Sequence, residues 1–169
     1  YSGNTSYGLT RNVKAYFAHT QKEEFEYSTG DFVDVEDLTK VYSGNVSFDE
    51  ESGWITLVFY TPFVYNGTDN LVVAIDDNSG TYDGSSYTFY YTTGSSNIML
   101  YYNTDSANPD PASPPTGTLS ANCPNTQFCI SNDCTQPTGT FALNPRTINV
   151  TQGNTYNISN CLTNQLYPT

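Results

Sequence analysis

The segment from Gly53 to Ile75 constrains the fold more than any other part of the sequence, because it holds the only tryptophan and the densest apolar residues. Residues 54–60 read Trp-Ile-Thr-Leu-Val-Phe-Tyr, and all but one of them are β-branched or aromatic. Such residues favour strands, and the stretch is too short for a typical helix. Alternate side chains of a strand point to opposite faces, and here both faces carry apolar groups. The pattern predicts a central strand, covered on both faces, with Trp54 in the core.

A second strand is predicted from Leu71 to Ile75. Pro62 cannot donate a hydrogen bond to a ladder and should end the first strand, and Asn66-Gly67 is a strong turn signal. We therefore expect two long neighbouring strands joined by an ordered loop, residues 63–70, that carries aromatic side chains.

The rest of the chain also indicates an all-β fold. It has fifteen Tyr and nine Phe but one Met, and no window repeats apolar residues at helical spacing. Further strands are predicted at 13–19, 41–48, 87–93, 97–103 and 126–130. The strands at 87–93 and 97–103 are expected to pair as a hairpin, and the strand at 126–130 is expected to close the sheet. Residues 21–37 are predicted to form an acidic surface loop whose aromatic side chains contact the body. Short strands separated by turns predict an antiparallel β-sandwich of jelly-roll type.

The chain is long enough for one domain with a sizeable core and a small appendage. We assign residues 1–131 to the jelly-roll module. Residues 132–169 are predicted to form a linker followed by a short C-terminal β extension, or the start of a second, immunoglobulin-like domain.

The charge of the chain limits its partners. Seventeen acidic residues against five basic ones give a net charge of −12. Binding to nucleic acid or to anionic membrane surfaces needs clustered Lys and Arg, so neither is expected. No segment has the length of a membrane span, and no signal peptide precedes Tyr1. These features predict a mature or trimmed extracellular chain without membrane insertion.

Four cysteines lie in the last third of the sequence: Cys123, Cys129, Cys134 and Cys161. Their even number predicts disulfides in an oxidising compartment. If the intervening segment is one extended strand, Cys123 and Cys129 are about 20 Å apart and cannot bridge each other. Cys134 or Cys161 would then be their partners. Zinc is the alternative, although no Cys-x-x-Cys pair exists.

No constellation of catalytic residues is apparent, and we predict no enzyme. The single histidine, His19, continues an alternating strand and is expected to be structural. Serine-type catalysis lacks a Gly-x-Ser-x-Gly elbow. A small jelly-roll glycosidase would need two carboxylates facing one cleft, usually from strands. All six glutamates lie in acidic loops before the predicted central strand.

Tyrosines and amides in the middle of the chain indicate carbohydrate binding. Aromatic faces pack against the CH surfaces of sugars, and nearby amides or carboxylates bind hydroxyl groups. The candidate ligand-binding residues are Tyr82, Tyr87, Tyr90, Tyr91, Tyr101, Tyr102, Asn97 and Asn103. The alternative for each tyrosine is that it only packs on the sandwich.

An acidic loop after the second strand indicates calcium. Its hard oxygen ligands are Asp76, Asp77, Asn78 and Asp83, with Ser79 and backbone carbonyls near Gly80. The spacing is not that of an EF-hand, since the terminal glutamate is missing. We predict a bound Ca²⁺ with a structural role.

Several short motifs between residues 10 and 131 resemble a jelly-roll module of secreted multi-domain proteins from gut and rumen Bacteroidetes. The motifs are Thr10-Arg11-Asn12, Tyr16-Phe17-Ala18-His19-Thr20, Val41-Tyr42-Ser43-Gly44, Gly53-Trp54, residues 62–67, Asn70-Leu71-Val72-Val73 and residues 125–130. The module is similar to cleaved-adhesin and galactose-binding sandwiches. The resemblance implies a secreted or cell-surface location and non-catalytic binding of a glycan or a cell-surface protein.

This sequence differs from the family pattern in one respect, because the family has further strands before the Thr-Arg-Asn motif. Either the chain is a processed fragment, or a partner or the tail after Ser131 supplies the missing strand. The second functional hypothesis is therefore a stalk or filament subunit that is completed by strand addition from a neighbouring chain.

Overall fold

The computed structural model describes residues 1, 8–48, 53–80, 88–104 and 106–129, and the backbone of short strands beyond residue 140. The strands are β1 (Leu9–Thr20), β2 (Thr39–Phe48), β3 (Asn70–Asp77), β4 (Tyr91–Thr93), β5 (Met99–Thr104), β6 (Thr118–Ser120), β7 (Asn122–Pro124), β8 (Gln127–Phe128), β9 (Phe141–Ala142), β10 (Ile148–Asn149), β11 (Thr155–Tyr156) and β12 (Cys161–Pro168). The only helical element in these residues is one 3₁₀ turn, Val35–Asp37. No helix in the described residues is long and apolar enough to cross a membrane. The prediction of an all-β chain is confirmed, while the jelly-roll type stays a prediction.

Six strands form the main sheet, in the order β2-β1-β3-β12-β5-β6. β1 pairs antiparallel with β2 and with β3, and β5 pairs antiparallel with β6. β12 lies between β3 and β5 and runs parallel to both. The last strand in the sequence is therefore an interior strand of the sheet.

β3 confirms the strand predicted at Leu71–Ile75. Residues Leu71 to Ala74 are all buried, as expected for an interior strand whose two faces are both covered. Successive side chains along β1 and along β3 alternate between the two faces of the sheet, so the two strands contribute to two separate cores.

The first face of the sheet carries Ala15, Phe17 and Val73. It is covered by an extended segment, residues 54–65, and by Phe128 of β8, whose ring lies 5.6 Å from that of Phe17. At one end, Val13, Val46 and Phe48 continue this core.

The second face carries Ala18, Val72 and Leu100. Phe25 and Phe32, from the loop between β1 and β2, cover it and are 0 % and 9 % exposed. The prediction that this acidic loop attaches its aromatic side chains to the body is confirmed for these two residues.

The segment predicted as the central strand is not part of a sheet in the structure. The side chains of residues 54–60 alternate between exposed and half-buried, as in an extended chain, but the segment forms no ladder with any described strand, and Trp54 is 60 % exposed. The prediction of a covered central strand with Trp54 in the core was wrong. The segment lies across one face of the sheet as a second layer, so only its inward side is covered.

Two further pairings differ from the predicted ones. β4 pairs with β7 rather than with β5, and β8 pairs with β9 rather than closing the main sheet. β12 comes from the tail that was assigned to a separate extension, and it shares a sheet with strands from residues 1–131. The division into two domains stays a prediction.

Candidate functional site

The extended segment presents a row of apolar side chains to solvent. Trp54, Val58, Tyr60 and Val64 are 60 %, 72 %, 56 % and 83 % exposed. All four have even numbers, and side chains two residues apart in an extended chain share a face. We call these four residues the aromatic row. Thr56 and Pro62, also exposed, lie between them.

The odd-numbered side chains hold the segment against the sheet. Ile55, Leu57, Phe59 and Phe63 are half-buried and pack on the core of the first face. The rings of Phe59 and Phe63 meet that of Phe17 edge to face, with centroid distances of 5.0 Å and 5.5 Å. Such pairs contribute roughly 0.5–1.5 kcal/mol beyond their buried area. The inward contacts therefore fix the positions of the outward side chains.

Backbone hydrogen bonds anchor the segment near its start and its middle. At the start, Gly53 N–H donates to the carbonyl of Tyr1 at 3.1 Å, and the amino group of Tyr1 donates to the carbonyl of Gly53 at 2.8 Å. In the middle, Tyr60 N–H donates to the carbonyl of Val41 in β2 at 3.2 Å. Tyr60, a member of the aromatic row, is thus tied directly to the main sheet.

A compact turn fixes the far end of the segment. Asn66 N–H donates to Nε2 of His19 at 3.1 Å, and the Asn66 side chain accepts from the amides of Thr68 and Asp69 at 3.0 Å each. Gly67 has φ 77°, a conformation that favours glycine. The ring of His19 lies 4.8 Å from that of Phe63. These contacts agree with the predicted structural role of His19.

A second group of exposed aromatic residues lies at β4. Tyr90 and Tyr91, both predicted as ligand-binding residues, are 60 % and 58 % exposed. The neighbouring Phe89 contacts the ring of Phe48 at 6.0 Å, which joins the group to the core of the first face. The carbonyl of Tyr90 accepts from Asn125 N–H at 2.8 Å. The structure therefore places Tyr90 and Tyr91 where a ligand could reach them.

The other predicted ligand-binding residues do not form one surface with this pair. Tyr101 and Tyr102 are half-buried in β5, and Tyr102 packs on the core of the second face. The carbonyl of Asn97 accepts from the amide of Phe25 at 2.8 Å, while Asn103 is exposed. Tyr82 and Tyr87 lie outside the described residues.

The predicted calcium ligands Asp76 and Asp77 point to opposite faces of the sheet. They are the last two residues of β3, where Asp76 is paired with Lys14 of β1 and Asp77 with Val13. This alternation does not favour the binding of one ion by both carboxylates. Asn78 joins only the first of them, by donating from Nδ2 to Oδ2 of Asp76 at 2.8 Å.

Each of the two carboxylates has a basic partner. Nε of Arg11 donates to Asp77 Oδ2 at 2.7 Å, and both side chains are buried. Nζ of Lys14 lies 3.7 Å from Asp76 Oδ2. Among the described residues, no three His, Cys, Asp or Glu side chains come together as metal ligands, and Asp83 lies outside those residues. Calcium binding here stays a prediction, which melting curves with CaCl₂ and with EDTA would test.

Burial has a strong effect on Asp76. This residue is 3 % exposed, and its Oδ1 atom has no hydrogen-bond partner. Burial raises the pKa of the Asp76 carboxyl above its ordinary value, although Asn78 and Lys14 oppose the shift. Asp76 also lines a cavity of about 30 Å³ together with Tyr16, Phe32 and Pro111. A cavity of this volume is about the size of one water molecule.

Two of the four cysteines, Cys123 and Cys129, are described with their side chains. Cys123 is half-buried in β7 and Cys129 is exposed directly after β8, so no single long strand joins the two. Cys134 lies outside the described residues, and for Cys161 only the backbone of β12 is described. The disulfide pairing stays a prediction.

The sequence pattern selected Tyr90 and Tyr91 but not Trp54 and Tyr60, although all four are exposed, and the ligand-binding role of Tyr90 and Tyr91 stays a prediction. The signal that could have located Trp54 and Tyr60 is the composition of the two sides of residues 54–65. Thr56 and Pro62 fall on the same side as Trp54, whereas the opposite side is apolar except for Thr61. The more polar side of an amphipathic segment faces solvent.

Comparison with protein-family models, curated proteins and solved structures gave no match for this chain.

Proposed function

We propose that this chain is a non-catalytic extracellular module that binds neutral glycan chains through its aromatic row. The observation that carries the proposal is the exposure of Trp54 and Tyr60 on one side of a segment whose other side is fixed in the core. A tryptophan or a tyrosine presented in this way offers a flat apolar face beside a polar group. Sugars combine CH faces with hydroxyl groups, so they match this chemistry.

The rigidity of the segment supports binding rather than simple exposure of apolar groups. A binding side chain is more effective when its position is fixed before the ligand arrives, because less conformational entropy is lost on binding. The edge-to-face contacts of Phe59 and Phe63 and the hydrogen bond from Tyr60 N–H supply that fixation. Isolated exposed apolar residues are common, but four on one side of an extended segment form a continuous strip.

The length of the row favours a chain over a single sugar. Trp54 and Tyr60 are six residues apart, or about 20 Å along an extended backbone. A monosaccharide could contact only one of them. The net charge of −12 disfavours acidic polysaccharides, because like charges repel each other. The proposed ligands are therefore neutral oligosaccharides and polysaccharides.

Isothermal titration calorimetry would test this function. The probes are cellohexaose, xylohexaose and mannohexaose, with polygalacturonate as the acidic comparison. We expect binding to at least one neutral hexasaccharide, and affinities about tenfold weaker in Trp54→Ala and in Tyr60→Ala, since exposed aromatic anchors dominate such contacts. Tyr27→Ala is the matched control, because Tyr27 is 64 % exposed but belongs to the loop that covers the second face.

Two results would overturn the proposal. One is the absence of heat with every neutral probe at millimolar concentration. The other is binding that Trp54→Ala and Tyr60→Ala leave unchanged. Tyr90→Ala and Tyr91→Ala, measured in the same series, decide whether the group at β4 belongs to the same binding surface.

A further inference from the structure

The main sheet depends on one strand that is distant in sequence from its neighbours. β3 and β5 do not pair with each other, and β12 is the strand between them. Without β12 the sheet would separate into β2-β1-β3 on one side and β5-β6 on the other. The gap between β3 and β5, which we call the strand slot, has the pairing edges of both strands as its walls.

The walls of the slot belong to the core. Leu71, Val72, Val73 and Ala74 of β3 are buried, and so are Met99 and Leu100 of β5. An empty slot would leave two rows of backbone N–H and C=O groups without partners beside these buried side chains, which is costly in a folded protein. A strand must therefore fill the slot, but the ladder alone does not require that the strand belong to the same molecule.

The register shows what the slot accepts. β12 pairs with β3 from Cys161 opposite Leu71 to Leu166 opposite Asp76, and with β5 from Thr163 opposite Met99 to Pro168 opposite Thr104. Both pairings are parallel, so a tight hairpin from either neighbour could not supply this strand. The occupant has to arrive through a long connection.

The connection is long enough to reach a second molecule. Residues 143–160 join the end of β9 to the start of β12. β10 and β11 pair with each other within this connection, with Ile148 opposite Tyr156, so it spans at most about 40 Å with that pair intact and about 60 Å if the pair opens. A domain of this length has a radius of gyration near 15 Å and is about 40 Å across. The same connection can therefore place β12 in its own slot or in the slot of a neighbour.

We propose that the strand slot is an assembly site that accepts β12 from a second copy of this chain. The exchanged strand makes the same ladder hydrogen bonds in the neighbouring molecule as in its own. The free-energy difference between the closed monomer and the assembly is then mainly the entropy of association, which high protein concentration offsets. Exchange in one direction gives linear assemblies, and reciprocal exchange gives a closed dimer.

The charge of the chain sets a condition for this assembly. Each copy carries −12, so two copies repel each other at low ionic strength. Salt screens this repulsion beyond a Debye length of about 8 Å at 0.15 M. Assembly by strand exchange therefore increases with salt.

Size-exclusion chromatography with light scattering on the full chain tests the proposal. The protein is concentrated, incubated a few degrees below its melting temperature, cooled and diluted. We expect dimers or larger species that persist after dilution, because strand return requires partial unfolding, and we expect more of them at 0.5 M than at 0.05 M NaCl.

A peptide separates strand exchange from other association. The probe is the peptide of residues 160–169 with Cys161→Ser and a fluorescein at its amino end. Its control carries Gln165→Pro as well, which removes a backbone donor in the middle of the ladder. We expect the first peptide to enter the chain during the same incubation and to reduce the assembly, and the proline peptide to do neither.

A full-chain variant provides the complementary measurement. Gln165→Pro should lower the melting temperature by several degrees. The peptide with Cys161→Ser alone, added in excess, should restore part of that loss. The proposal is overturned if wild-type protein stays monomeric at every concentration and salt. It is equally overturned if oligomers form but neither peptide changes them, since the association would then use another surface such as the aromatic row.

Discussion

Trp54 and Ile55 are consecutive residues whose side chains lie on opposite sides of one extended segment. Trp54 is 60 % exposed, whereas Ile55 packs against Val13, Val46 and Phe48. The larger side chain therefore contributes less to the core. We expect Trp54→Ala to change the free energy of unfolding by less than about 1 kcal/mol and Ile55→Ala to lower it by about 2 kcal/mol. Urea denaturation measures both, and an equal or larger loss in Trp54→Ala would contradict the placement of this residue.

The ion pair of Arg11 and Asp77 is buried and fully bonded. Asp77 accepts from Arg11 Nε through Oδ2, and its Oδ1 accepts from the amide of Ser79 at 3.0 Å. Removing one partner leaves the other charge buried, so Asp77→Ala should cost about 3–5 kcal/mol. The double variant Arg11→Met with Asp77→Leu removes both charges and should recover much of that loss. A double variant that loses the sum of both single losses would show that the pair does not couple.

Asp31 should make the protein sensitive to acid. Burial by itself would raise the pKa of the Asp31 carboxyl, but the ammonium group of Lys22 and the amides of Tyr27 and Glu26 outweigh burial and lower it. A carboxyl whose pKa is lowered by folding stabilises the protein when the pH is above its pKa in the unfolded chain. This contribution is lost as the pH falls through its pKa in the folded state. Asp31→Asn should therefore be less stable by about 1–3 kcal/mol at pH 7.

The difference in the free energy of unfolding between wild type and Asp31→Asn should become smaller below about pH 4. Urea midpoints from pH 7 down to pH 2.5 measure it. A stability difference that stays constant over this pH range would mean that the charge of Asp31 does not stabilise the loop that carries Phe25.

Asp76 should have the opposite dependence on pH. Its pKa is raised, mainly by burial, so the folded state holds the proton more tightly than the unfolded chain does. This contribution is complete below the unfolded pKa and is lost as the pH rises through the folded pKa. Asp76→Asn cannot ionise, so it should gain stability relative to wild type between about pH 4 and pH 7. Lys14→Met, which removes the neighbouring cation, should increase the loss of stability at neutral pH.

Gly117 is predicted to tolerate no side chain. A Cβ atom at this position would lie 2.7 Å from Leu100 Cδ1 and 3.0 Å from the ring of Phe32, both in the core of the second face. Gly117→Ala should lower the free energy of unfolding by about 1–3 kcal/mol. Gly53→Ala is the matched control, because nothing lies within 4 Å of its Cβ position. Equal melting temperatures for the two variants would contradict the close packing at Gly117.

The local residue pattern was sufficient for some elements and not for others. β3 could be predicted because an apolar run such as Leu71 to Ile75 indicates a buried strand whichever strands pair with it. Residues 54–60 have equally strong strand composition, and their side chains do alternate in exposure. Composition does not specify a ladder partner, however, and the segment lies across the sheet instead of within it.

The interior position of β12 could not be predicted from its own residues. The sequence Cys-Leu-Thr-Asn-Gln-Leu-Tyr-Pro is mostly polar, whereas interior strands of a sheet are usually near-continuous apolar runs. Its partners β3 and β5 are distant in sequence, and no turn signal connects them.

The exposed aromatic residues follow only in part from the sequence, because the size of a side chain does not decide which side of a segment faces the core. Tyr90 and Tyr91 were selected by residue type, and both are exposed. Trp54 was assigned to the core because large apolar side chains are usually buried. The alternation that holds Ile55 and Leu57 inward forces Trp54 outward, and this geometric constraint outweighs the preference of one side chain.

The exposed position of Trp54 also determines how this protein can be followed by fluorescence. Trp54 is the only tryptophan, and its indole ring is already in contact with solvent in the folded state. Its emission maximum should therefore shift little on denaturation, so unfolding is better followed by circular dichroism. Any molecule that covers the ring should instead shift the emission to shorter wavelength, which makes the native chain an optical sensor of its own ligand without an added dye.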